Sequence, residues 1–249
     1  MCCFSRPVDS VSDTSIFARA AGKGWQYLIY SMQFQAGEDL AMILPIPTKP
    51  DLGEQAVKFI SMENYPEFFD DMHAGFPKPS PRGKGGGFAL GALDEKPKLK
   101  VVEVGAFEAS FVPTVKDFDR LDERFQLNVE TWDAIPKYKN YGFAVFKLKQ
   151  GDHKVHPMAF QFASAIGWRL FFPTVHIHDG KVHRDARFDH ELYCQLTDVD
   201  ARHARNWTES MQPASMFLDE KRSGQLVEPD EHCYQRLMKG KLRNVDVVI

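Results

Sequence analysis

The sequence lacks any long apolar run: its longest block, Leu40-Ala41-Met42-Ile43-Leu44, stops at Pro45, far short of the roughly 20 residues that cross a bilayer as a helix. Cysteine is scarce. The four residues, Cys2, Cys3, Cys194 and Cys233, form no C-x-x-C pair, which excludes the common zinc and dithiol redox motifs. A surplus of charge is missing as well, since 31 basic and 34 acidic residues leave a net charge of -3. Neither nucleic acid nor an anionic membrane is therefore an expected partner. Arg6, Asp9, Asp13 and Arg19 interrupt any apolar stretch near the start, so the expectation is a cytoplasmic protein with reduced thiols. In that compartment the Asn206-Trp207-Thr208 sequon has no glycosylation role.

What the chain does have is apolar and aromatic content, 43% hydrophobic and 12% aromatic over 249 residues, enough for the core of a single domain covering residues 1–249. Residues 26–35 alternate in the manner of a strand, and residues 40–44 return from a turn at Ala36-Gly37-Glu38-Asp39 as the expected second arm of a hairpin. Pro45, Pro47 and Pro50 force an extended exit. A short strand over 57–62 precedes a helix near 65–72, with Asn64 as cap and Pro66 in its first turn. Strands over 100–104 and 106–112 form a pair, and Thr114 caps a helix reaching Phe125. Residues 141–149 and 158–163 frame a second hairpin, and residues 169–177 turn at Asp179-Gly180 onto a partner at 190–196. Helices are expected near 200–210 and 230–238. Residues 77–98, with Pro77, Pro79 and Pro81 leading into Arg82-Gly83-Lys84-Gly85-Gly86-Gly87, read as a flexible loop lacking the residue order of a phosphate loop. The fold class is α+β, mainly antiparallel sheet with interspersed helices.

Chemistry concentrates in two places. The first is Met1-Cys2-Cys3-Phe4. Removal of Met1 frees an α-amine, with a reference pKa of about 7.7 to 8, that serves as base for its own thiol. Such a Met-Cys start resembles that of N-terminal-nucleophile hydrolases and glutamine amidotransferases. That resemblance implies Cys2 as nucleophile, with a cation and an oxyanion donor nearby. Arg6 and Asn140 are the candidates for substrate binding.

The second is Thr174-Val175-His176-Ile177-His178-Asp179-Gly180. On a strand, H-x-H spacing points both imidazoles to one face. His183 completes a candidate ligand set with His176 and His178 for a divalent transition metal such as zinc, and Asp179, Asp185 or Asp189 would orient a ligand. If this strand lies beside the N-terminus, His176 or His178 also supports Cys2 as general base or orienter.

Leu44-Pro45-Ile46-Pro47-Thr48-Lys49-Pro50-Asp51, following a strand pair and a cysteine that precedes an aromatic, resembles the opening of an uncharacterised bacterial family. Its members pair a cysteine at the start of the mature chain with a Leu-Pro-x-Pro segment. Those members are usually exported, and here Cys3 follows Cys2 where they carry glycine. The resemblance implies no catalytic assignment and directs attention to Cys2 and the proline segment.

The leading expectation is a hydrolase or acyl- or amide-transfer enzyme acting on a small amide-type molecule through Cys2, with His176 and His178 in support. The alternative is a non-catalytic metal-binding or protein-interaction protein using the His176/His178 cluster. A third reading is a scaffold presenting the proline segment and the glycine-rich loop to a partner.

Overall fold

The computed structural model describes residues 2–77, 102–104, 107–121, 125–126, 135–154, 156–178, 181–196 and 206–249. The expected loop at 77–98 lies almost wholly outside these residues, as does most of the helix expected near 200–210. Strand dominates, and antiparallel pairing prevails. One sheet orders its six strands β12 (His176–Ile177), β1 (Cys2–Phe4), β4 (Leu40–Ile46), β8 (Gly142–Leu148), β7 (Phe107–Val112) and β6 (Val102–Val104). The other orders β14 (Thr208–Pro213), β15 (His232–Arg243), β13 (Asp185–Gln195), β2 (Ser10–Ala20), β3 (Trp25–Ala36), β10 (Met158–Ala163) and β5 (Val57–Ile60), with β9 (Gly151–Lys154) also on β3. A short pair, β11 (Phe171–Phe172) with β16 (Val247–Val248), ties down the C-terminal residues. Only β1/β12 and β2/β13 run parallel among the described pairs.

The two sheets pack face to face around Leu28, Tyr30, Met42, Phe146, Phe160 and Leu192. Their outer faces are covered too. Phe118 and Tyr138 close over Ile43, Phe143 and Val145 on the first sheet. Helix α1 (Phe68–Ala74), with the segment from Ala214 to Val227 that contains helix α2 (Glu220–Ser223), closes over Phe17, Ile29 and Tyr193 on the second. Coverage on both sides explains why every residue of β4 is buried, and why strands in antiparallel sheets read here as near-continuous apolar text. Among the described residues no helix is long and apolar enough to cross a membrane.

Most expected strands exist, the one expected over 169–177 being split into β11 and β12 of different sheets, but their pairing differs. β3 and β4 follow one another and belong to different sheets, as do β12 and β13, and β8 and β10, with β9 between them, are likewise in different sheets. Each expected hairpin is a crossing from one sheet to the other. A tight turn brings two strands close, yet a strand with two apolar faces gains more by entering the centre of a covered sheet than by pairing at an edge. β6 and β7 do form the expected pair. The helix expected from Thr114 is a 3-10 turn over Val115–Arg120, and the helix expected over 230–238 is strand β15.

Candidate functional site

Where β12 of one sheet comes up against β13 of the other, three imidazoles meet. The Nε2 atoms of His176 and His190 lie 2.8 Å apart, and the His178 ring stacks on His176 with centroids 4.8 Å apart. Phe188 and Phe4 flank the cluster. His190 enters because Phe188, His190, Leu192 and Cys194 occupy the inward phase of β13. Its Nδ1 stands 3.7 Å from an Asp189 carboxylate oxygen, and the other oxygen of that carboxylate accepts the Asp13 amide at 2.9 Å. Asp13 adopts a positive φ at an irregularity in the β2/β3 register, which is what turns its N–H toward Asp189.

One of two facing Nε2 atoms must donate and the other accept, so the rings carry opposite tautomers. Placing the His190 proton on Nδ1, toward Asp189, leaves its Nε2 to accept from His176. Burial, reinforced by the neighbouring imidazoles, lowers the His176 pKa to about 2, and burial also lowers that of His190. Both rings are neutral at ordinary pH. Asn244 completes the site from outside: its side-chain oxygen accepts the His176 amide at 2.8 Å, and its side-chain nitrogen donates to the carbonyls of His176 at 2.9 Å and His183 at 3.0 Å. It takes the place that a further strand would hold on β12.

The sequence candidates are partly gathered. Cys2 pairs with His176 in the parallel β1/β12 register, so the N-terminal segment does lie beside the H-x-H strand. Arg6 is exposed just past β1, whose end bonds to Ala41, whereas Asn140 is exposed just before Gly142, which pairs with Ile46. They sit at opposite ends of β4 and do not converge. His183 is exposed and contributes its carbonyl to Asn244. Cys3, Cys194 and Cys233 are buried thiols. Burial pushes the Cys194 thiol well up and that of Cys233 up to about 12, so neither ionises near neutral pH. Of the proline segment, residues 44–48 are buried, and Lys49, Pro50 and Asp51 are exposed.

The metal expectation is corrected. Among the described residues no group of three or more His, Cys, Asp or Glu side chains is arranged to hold a metal ion. The physical reason is that the His176 nitrogen a metal would need is directed at His190. His190 and Asn244 are the members that sequence reasoning left out of the site. The period-2 burial of β13 was a usable signal for His190, and nothing local marks Asn244.

No family model matches the chain, and no curated protein matches it. Solved structures do align. A crystal structure of baculovirus P35 gives a TM-score of 0.49 at 13% identity, covering 97% of this chain and 96% of that one. A mutated baculovirus P35 after caspase cleavage gives 0.47 at 15%, covering 95% and 99%. A caspase-8/P35 complex gives 0.48 at 11%, covering 95% of each chain. The expectations of an amide hydrolase and of a small-molecule partner are corrected on the geometry: the substrate-binding candidates Arg6 and Asn140 stand at opposite ends of β4 and, among the described residues, do not build a small-molecule site beside Cys2. With TM-scores below 0.5, these alignments assign no particular partner or mechanism to this chain.

Proposed function

We propose that this chain is a protein-interaction protein, located in the cytoplasm, whose contact surface lies in its C-terminal segments. The carrying observation is where apolar side chains meet solvent. Among the described residues, six of the eight exposed large hydrophobic residues, Met211, Met216, Leu237, Leu242, Val245 and Val248, lie beyond residue 210, and Met211 and Met216 are 66% and 63% exposed. The two methionines are brought to one place by α1. The Met211 amide donates to the carbonyl of Gly75 at the end of that helix, and the ring of Phe217, next to Met216, packs so closely on Gly75 that a Cβ there would stand 2.6 Å from it. Unbranched, polarisable methionine side chains, Met211 on edge strand β14 and Met216 in the 3-10 turn that follows it, suit a surface that adapts to another protein. The buried state of Cys3, Cys194 and Cys233 supports the cytoplasmic part of this reading.

The test is affinity capture with the wild-type chain and with a Met211→Glu/Met216→Glu variant, followed by rebinding of each identified protein in purified form. Retention of a purified partner by the wild type, weakened about tenfold or more in the variant, is the expected result. Equal retention by both proteins would rule out this surface.

A further inference from the structure

Strand β15 is only partly paired. β13 hydrogen-bonds along it from Tyr234 to Arg243, whereas β14 covers only its first residues, its partners being His232, Tyr234 and Gln235. Over residues 236–243, about 27 Å of strand, no second strand pairs with β15 among the described residues. An open edge of this length is a template for one more strand. Its side chains restrict which strand. Arg236, Lys239, Lys241 and Arg243 stand on this stretch, and no acidic residue does. Lys239 reaches Glu191 at 3.5 Å, while Arg236, Lys241 and Arg243 have no ion-pair partner among the described residues. On β13, Lys241 faces Arg187, whereas Lys239 and Arg243 face Asp189 and Asp185, so that neighbour offsets part of the positive charge and leaves Lys241 beside a like charge. Leu237 and Leu242 add an exposed apolar side chain at each end. Gly240 has a φ of 87° and open space where a Cβ would be, which leaves room for another backbone to approach.

We propose that residues 236–243 of β15 receive an acidic, extended peptide segment of a protein partner by strand addition, a deepening of the protein-interaction reading on which it rests. Backbone groups of the free edge supply the hydrogen bonds, and the unpaired cations select acidic side chains. The same cations disfavour a second copy of this chain, whose edge would bring like charges together.

The probe is a fluorescein-labelled peptide of alternating glutamate and valine, titrated against the full chain by fluorescence anisotropy. Controls are a lysine–valine counterpart, an acidic peptide N-methylated at alternate amides, and an oligothymidylate of similar length. Saturable binding of the acidic peptide is expected, weakened about tenfold or more by N-methylation and by a Lys241→Glu/Arg243→Glu variant, with slowed hydrogen exchange at residues 236–243. Equal binding of the acidic and basic peptides, indifference to N-methylation, tighter binding of the oligothymidylate, or pairing of two copies through this edge would each overturn the proposal. The Met211→Glu/Met216→Glu capture experiment reads a different surface, so failure of the peptide here and failure of the broader reading are told apart.

Discussion

The histidine pair is where single residues decide most. His176 and His190 are held neutral in the fold and titrate near 6.5 once exposed, so below about pH 6.5 the unfolded chain takes up protons that the folded chain refuses. Stability contributed by this pair is therefore complete above that pH and falls with acidification, by up to about 1.4 kcal/mol per pH unit for His176, with His190 adding in the same sense. His156, also lowered by burial, adds in the same sense. His73, whose pKa is raised by its contact with Glu191, acts oppositely: its contribution is complete at low pH and is lost as pH rises through its raised value. Calorimetry between pH 7.5 and 5 should show the melting temperature falling, and a His176→Gln/His190→Gln variant should show a shallower fall. An identical slope in both proteins would mean the pair does not carry the effect. The H-x-H pattern in sequence drew attention to His176 and His178, whose rings stack in the fold. It suggested a metal because sequence cannot tell an imidazole aimed at an ion from one aimed at another imidazole across a sheet interface.

At the scale of elements, β12 shows how a two-residue edge strand is protected. The Asn244 side chain satisfies both backbone groups of His176 and the carbonyl of His183. Replacing it with leucine leaves buried backbone groups without partners, at a cost of about 2–3 kcal/mol. Urea denaturation should register that loss with an unchanged m-value, and a change below about 0.5 kcal/mol would show that water replaces the side chain. Strands were the most legible part of this fold, because alternation in residues 26–35 and the run from Leu40 to Leu44 mark β3 and β4 whichever sheet they join. Pairing was not legible. Turn residues at 37–39 are as compatible with a crossing between sheets as with a hairpin. Strand β15 was misread as helix because its alternation is weak: Met238 is buried, and exposed residues fill both phases of its second half.

The described residues form two covered sheets meeting at a histidine seam, with most of their exposed large apolar side chains in the C-terminal segments. Met211 and Met216 are the most exposed large apolar side chains among the described residues, which marks their region as a place to dock. Site-specific photo-crosslinking tests this most directly. A benzophenone side chain placed at Met216, in cells that express the chain, should yield a discrete protein adduct that is absent when the same group is placed at exposed Lys23, in the turn between β2 and β3. No adduct at Met216, or the same adducts from both positions, would contradict the account.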